Sequence, residues 1–433
     1  MWCRGWRLCL TQTEPKEATR LLLIAPSNSY RTVPYLEAAR RRGISVLIAS
    51  EGRFSLVSEI AEGLHLDLED PAALDRLLAA NLEYPFSGVV ATDDASVELA
   101  SCIARALHLP HNPPQSARFT RRKDLSRQAL AAAGVPVPEF RIIDLQQPIL
   151  PQLDRLAYPC VIKPLSLSAS RGVIRVDDAD ALCAACARIE RILAVETVHG
   201  GFAATHLLIE TFVSGPEIAL EGLLRGGRLS VLAVFDKPDP LEGPFFEETY
   251  YITPSRHDEN VKTRVIRRVE EACQALGLRE GPVHAEVRIS EGEGVIIEVA
   301  SRTIGGDCAR LLRFGTGQTL EDLVISHAVG NPLPVIPQEG AAGVLMIPIP
   351  EAGILRRIEG ITRARAVPWV DDILIGIREG YELVPLPEGA AYLGFIFAHA
   401  PTPAAAEAAL RESHARLNIV VAPVMALEDR RCV

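Results

Sequence analysis

Residues 283–307 read VHAEVRISEGEGVIIEVASRTIGGD, and few arrangements satisfy them. Val283, Ala285, Val287 and Ile289 alternate with His284, Glu286 and Arg288. That is a strand with one apolar and one polar face. The EGEG run supplies a turn, and in the return strand Ile296, Glu298, Ala300 and Arg302 are expected on one face, with Val295, Ile297 and Val299 on the other. A hairpin centred on Gly292 sets Glu286 opposite Glu298, with Cβ atoms roughly 5 Å apart. Like charges so placed repel, and a hard divalent cation held between carboxylate oxygens relieves them. A solvated acidic hairpin tip is the structural alternative, but each Glu lies well inside its strand. Carboxylates that bind Mg²⁺ usually share it with phosphate oxygens, so the hairpin points to a nucleotide.

A phosphate site also needs cations and exposed backbone N–H groups. In YPCVIKPLSLSASRGVIRV, Lys163 ends an apolar strand, and Ser166, Ser168, Ala169, Ser170 and Gly172 form a small-residue loop able to fold over phosphates at little steric cost. Alone, such a loop is equally a plain hairpin turn. In HLLIETFVSGPEIALEGLLRGGRL, the run ending in Glu210, Thr211, Phe212 and Val213 offers backbone groups to an adenine edge, and Glu217 offers acceptors to ribose hydroxyls. An ordinary hairpin fits the same pattern. Lys123 stands near the start of the helix in RRKDLSRQALAAAG, where a surface lysine is the default.

The 433-residue chain is too long for one core. Residues 20–115 alternate short apolar strands with amphipathic helices in a doubly wound βαβ pattern. The first strand is followed by APSNSY rather than GxGxxG, which argues against a dinucleotide and favours a scaffold role. The Pro-rich breaks LPHNPPQS and NPLPVIPQEG set off an α+β region at 116–335 and a second α+β region at 336–433, and residues 1–19 read as a disordered tail. The fold class is thus α/β with α+β.

With 45 Lys plus Arg against 55 Asp plus Glu, the net charge of −10 gives no global attraction to nucleic acid or anionic lipid. No apolar run approaches the ~20 residues of a membrane span. Nine dispersed cysteines suit a reducing cytoplasm. Cys183 and Cys186 form a CxxC inside a helical pattern, without partners for a zinc site. Lys237, in AVFDKPDP, reads as a solvated loop lysine, and His284 as a neighbour of a metal rather than its ligand.

In this order and spacing the four elements resemble the ATP-grasp superfamily, which includes biotin carboxylase and the amino acid ligases. The resemblance runs from about residue 20 to 425. It implies that Lys123 and Lys163 contact ATP phosphates and that the loop, with Ser168, Ser170, Arg171 and Gly172, closes over them. Glu210 through Val213 would hold adenine, Glu217 the ribose, and Glu286 and Glu298 Mg²⁺ or Mn²⁺. Arg302 would face the reacting carboxyl and phosphoryl groups. The implied chemistry is attack of a carboxylate on the γ-phosphate to give an acyl phosphate and ADP, then displacement of phosphate by an amine.

Biotin carboxylase-like members usually read E-x-N-x-R where this chain has Glu298-Val299-Ala300-Ser301-Arg302. No biotin-accepting MKM segment is present either. Ala300 followed by R-x-I-G-G is similar to the L-amino acid ligase branch, whose members join two amino acids. That branch commonly reads E-T-G-H where this chain has Glu248-Thr249-Tyr250-Tyr251, so a phenol replaces an imidazole base. Glu248, Tyr251, Gly305, Gly306 and Asp307 are the candidates for the substrate side, although Asp307 could instead cap a helix at CARLLRFG. The expected activity is an ATP-dependent carboxylate-amine ligase acting on small molecules, amino acids above all. A bicarbonate-phosphorylating carboxylase and an inactive ATP-binding regulator are the alternatives. A homodimer is the general expectation for such a chain.

Overall fold

The computed structural model describes residues 19–51, 62–195, 201–314, 317–336 and 339–424. Apart from Thr19, the segment expected to be a disordered tail lies outside the described residues.

Residues 20–115 form a parallel four-stranded sheet in the order Glu62–His65, Ser45–Ser50, Arg20–Ala25, Gly88–Ala91. Its inner strand RLLLIA is apolar after Arg20 because both faces are covered. Leu22 and Ile24 pack toward Leu77 and Ile103, whereas Leu21 and Leu23 pack toward Leu323 and Val324 from the helix Leu320–Ala328. The second core is therefore shared with the rest of the molecule.

A small antiparallel sheet of Phe140–Asp144, His206–Thr211, Cys160–Pro164 and Ile174–Val176 is backed by the helix Ala179–Ala194. Asp178 caps that helix by accepting from the Ala181 amide at 2.8 Å. A larger antiparallel sheet of eight strands runs Glu293–Ala300, Gly281–Ser290, Glu217–Arg225, Arg228–Lys237, Tyr250–Thr253, Ala341–Ile347, Gly394–Ala400, Val370–Ile375. It is backed at one end by Glu259–Ala275 and at the other by Pro403–Ala415. The Pro-rich joint near 336 does not divide this sheet: three of its strands lie beyond the joint.

Two local readings change. The strands 206–211 and 217–225 do not form a hairpin; they belong to different sheets, and residues 212–216 are the crossover between them. The hairpin does place Glu286 opposite Glu298, but not by symmetry about Gly292. Ser290 pairs with Glu293, and the register runs unchanged to Val287 and Ile296 before a bulge at Ile297 shifts it by one. The bulge also alters the faces. Ile296 and Val299 share the core with Val287 and Ala285, while Ile297 joins Glu298 on the opposite side.

Candidate active site

Between the two antiparallel sheets lies a cavity of about 510 Å³. Lys123, Lys163, Ser168, Ser170, Glu210, Thr211, Phe212, Val213, Glu217, Glu248, Tyr251, Glu286, Glu298, Arg302, Gly305, Gly306 and Asp307 all line it. Arg171 and Gly172 do not. Gly172 has φ +70°, and a Cβ there would meet Pro164 Cγ at 2.7 Å, so this glycine serves the loop's own backbone rather than the cavity.

One wall is cationic. Lys163, at the end of its strand, is buried with its Nζ 2.5 Å from Glu210, which Arg127 also engages. Burial opposes ionisation of Glu210, but the Arg127 and Lys163 cations outweigh it and hold that carboxyl down at about 2. Burial lowers the Lys163 ammonium below its usual range; Glu210 opposes this, and Arg127 and Lys123 add to it. Lys123 opens the helix Lys123–Ala132, donates from Nζ to the Leu167 carbonyl at 2.9 Å, and lies 3.4 Å from Glu298. Arg127, behind this wall, shares the Glu210 charge, which leaves the Lys123 and Lys163 ammonium groups lining the cavity for phosphate oxygens.

The opposite wall is acidic. Carboxylate oxygens of Glu217, Glu248 and Glu286 lie within 4.8 Å of one another. Lys237 donates to all three, at 2.7, 2.5 and 3.1 Å respectively. The lysine read as solvated is thus buried at the centre of the cluster. Burial pushes the Glu248 carboxyl up to about 7, helped by neighbouring Glu286. Glu286 is held well below the carboxylate range: burial opposes this, but Lys237 and then His284 prevail. Tyr251 donates from its hydroxyl to Glu248 at 2.8 Å, and burial drives its pKa well above the ordinary phenol value. It is a fixed donor, not a base. The oxygens are hard donors of the kind Mg²⁺ prefers, so this wall fits a divalent cation through Glu217, Glu248 and Glu286. Glu298, paired with Glu286 across the hairpin, lines the same cavity and lies 3.4 Å from Lys123, outside that three-carboxylate group.

Arg288 links the acidic wall to the sheet crossover. It donates to Glu217 at 2.9 Å and to the Val213 carbonyl at 2.6 Å, under the Phe212 and Phe246 rings. Thr211 and Phe212 N–H groups donate to the Glu139 and Pro159 carbonyls. Several backbone groups expected to meet adenine are therefore already engaged. Phe212, Phe246, Leu241 and Ile297 make this end apolar, as a flat base requires.

The far end is built partly by the N-terminal sheet. Tyr30, Arg31, Asp93 and Asp94, from the loops after the neighbouring strands Arg20–Ala25 and Gly88–Ala91, line the cavity, which corrects the scaffold reading of that domain. Asp94 grips Arg302, accepting from Nε at 3.1 Å and from a terminal nitrogen at 3.0 Å, while another terminal nitrogen donates to the Thr303 carbonyl at 3.1 Å. Burial opposes the Asp94 charge, but Arg302 more than offsets it and the carboxyl stays below its usual range. Of the five N–H donors of a guanidinium, two remain for a ligand after these bonds. Asp307 has φ +55° and makes no capping bond to the short 3₁₀ turn that follows, so the cap reading is set aside. Gly306 passes so close to Met346 that any Cβ would strike the sulfur. Tyr392 and Phe395, from the C-terminal region, complete this end. Paired aspartates at the C-terminal end of a parallel strand were the one available sign of the N-terminal contribution.

Comparison with known proteins follows the same division. Residues 36–111 match the ATP-grasp N-terminal domain, 156–310 the ATP-grasp domain, and 345–422 the L-amino acid ligase C-terminal domain 2. The crystal structure of an L-amino acid ligase from Bacillus licheniformis superposes with a TM-score of 0.79 at 29% identity, covering 94% of this chain and 100% of that one. Dapdiamide A synthase of Enterobacter agglomerans is 27% identical over 54% of this chain and 54% of its own length. Alanine–anticapsin ligase of Bacillus subtilis is 26% identical over 44% of this chain and 43% of its own. The chain spans about half the length of these two curated ligases. No helix among the described residues is long and apolar enough to cross a membrane.

Proposed function

The chain is a member of the ATP-grasp superfamily, and on that premise we propose that it is a carboxylate-amine ligase that joins two amino acids, or close analogues, with release of ADP and phosphate. The observation that carries this reading is one cavity bringing a cationic wall, a three-carboxylate wall and an oriented arginine together. A C-terminal region matching the L-amino acid ligase C-terminal domain 2 favours an amine over a carboxylase reaction.

In this reading Lys123 and Lys163 hold the triphosphate, under the loop 166–172. Glu217, Glu248 and Glu286 would hold Mg²⁺, which supplies charge neutralisation for the phosphates when bound. Arg302, aligned by Asp94, holds the attacking carboxylate through its two remaining donors and stabilises charge spread over the transferring phosphoryl group. Tyr251 keeps Glu248 in place. Residues 166–172 and 390–392 exclude water from the acyl phosphate, which the amine then attacks.

The test is coupled product release. With MgATP and pooled amino acids, ADP, phosphate and an amide are expected in equal amounts, and only when acid and amine are both supplied. AMP with pyrophosphate, or ADP release on bicarbonate alone, would overturn the proposal.

A further inference from the structure

The phosphate loop does not stand alone over the cavity. Its last residues are tied to the C-terminal region: the Gly172 N–H donates to the Pro387 carbonyl at 2.9 Å, and Arg171 Nε donates to the Glu388 carbonyl at 2.7 Å. The Glu388 side chain turns the other way and takes both nitrogens of a fork from Arg188, at 2.6 and 2.9 Å. Arg188 sits on the helix that backs the small sheet, with its guanidinium 5.0 Å from the Phe245 ring. Glu388 therefore fastens the helix of the small sheet on one side and the loop on the other. Two residues further on, Ala390, Ala391 and Tyr392 form part of the cavity wall.

We propose that Glu388 and Arg188 are positioning residues for the ligase reaction, forming a latch that closes the phosphate loop only when the C-terminal wall of the cavity is in place. The inference rests on the reading above that nucleotide phosphates lie under residues 166–172. Its physical basis is that the tether and the wall are one short segment, held compact by the Gly389 N–H donating to the Pro385 carbonyl at 2.9 Å. A displaced wall must pull on the loop. The Arg188 and Glu388 side chains are 37% and 42% exposed, so water competes for the pair. A bidentate contact of that modest strength directs the loop yet can release for nucleotide exchange. By holding loop and wall together, the latch limits transfer of the acyl group to water, where the acyl–oxygen bond would break, water would supply the new oxygen and phosphate would leave without an amide.

The test uses the full-length chain, Glu388→Ala, and the charge-exchanged Arg188→Glu/Glu388→Arg. Hydrogen exchange of residues 166–172 is followed with and without a magnesium-bound non-hydrolysable ATP analogue, and ADP formed per amide is measured in parallel. In Glu388→Ala the loop is expected to exchange about threefold faster without nucleotide, the scale of one half-exposed pair. ADP formed per amide should roughly double as acyl phosphate is lost to water. The unfolding midpoint should stay near wild type, and the charge-exchanged variant should regain loop protection. Unchanged loop exchange with an unchanged ADP-to-amide ratio would overturn the latch. So would a fall of every rate together with the unfolding midpoint, or no recovery on charge exchange. If the wild-type chain makes no amide, the ligase reading fails on its own, and the exchange comparison still decides whether the tether governs the loop.

Discussion

Replacing Arg302 by lysine is expected to lower kcat/KM by about 10²- to 10³-fold, the scale of losing one aligned charge-stabilising donor. The charge survives, so Asp94 keeps a partner and the fold holds. What is lost is the planar fork: Asp94 and the Thr303 carbonyl occupy three donors in one orientation, which fixes where the other two point. A lysine ammonium cannot satisfy Asp94 and present two divergent donors to a carboxylate and a phosphoryl oxygen. ATP binding should change less than turnover, because Lys123 and Lys163 hold the triphosphate and the two open Arg302 donors act chiefly when the carboxylate meets the transferring phosphoryl group. Near-normal turnover in Arg302→Lys would remove this residue from the reaction.

The second large effect is expected at Lys237. Replacement by methionine keeps much of the stem's volume but leaves Glu217, Glu248 and Glu286 without their shared ammonium, although Arg288 still serves Glu217. Removing one member of a buried charged group costs about 3–5 kcal/mol, so the unfolding midpoint should fall clearly. The sign of its pH dependence follows from proton uptake. Carboxyls crowded together in the folded state have raised pKa values, as Glu248 already does at about 7. Such groups bind protons that the unfolded chain has released, and stability declines as pH rises through the folded value. The deficit of Lys237→Met should therefore be smaller near about pH 5.5 than near about pH 8. Mg²⁺ should raise the midpoint of the variant more than that of the wild type, since a cation that binds only the folded cluster stabilises it by mass action. Equal midpoints for the two proteins across that pH range would contradict the arrangement.

Nothing in the local sequence marks Lys237 as the centre of a cluster. It stands at the end of a strand and just before Pro238, where a solvated lysine is the ordinary case, and its three partners are 20, 11 and 49 residues away. No local pattern brings them together; the order of strands in the large sheet does. The facing of Glu286 and Glu298 was legible because alternation and a Gly-rich turn fix register locally. Even so, the register arises from the bulge at Ile297, which puts Ile296 into the core against the simple alternation. The crossover at 212–216 shows the same limit. Two apolar runs around a Ser-Gly-Pro turn look like a hairpin, and only the separate pairing of each run with distant strands makes them members of two sheets. The N-terminal contribution was the least legible. The loop APSNSY lacks a phosphate-binding glycine pattern, and Asp94 acquires meaning only through Arg302, 208 residues later.

The central claim is that a substrate carboxylate attacks the γ-phosphate of ATP inside this cavity. It is tested most directly by supplying the acid substrate with ¹⁸O in its carboxyl group, together with MgATP and an amine, and analysing the phosphate released. Transfer of one labelled oxygen into inorganic phosphate for each amide formed is the predicted result. Label recovered in AMP, or an amide formed with unlabelled phosphate, would contradict it.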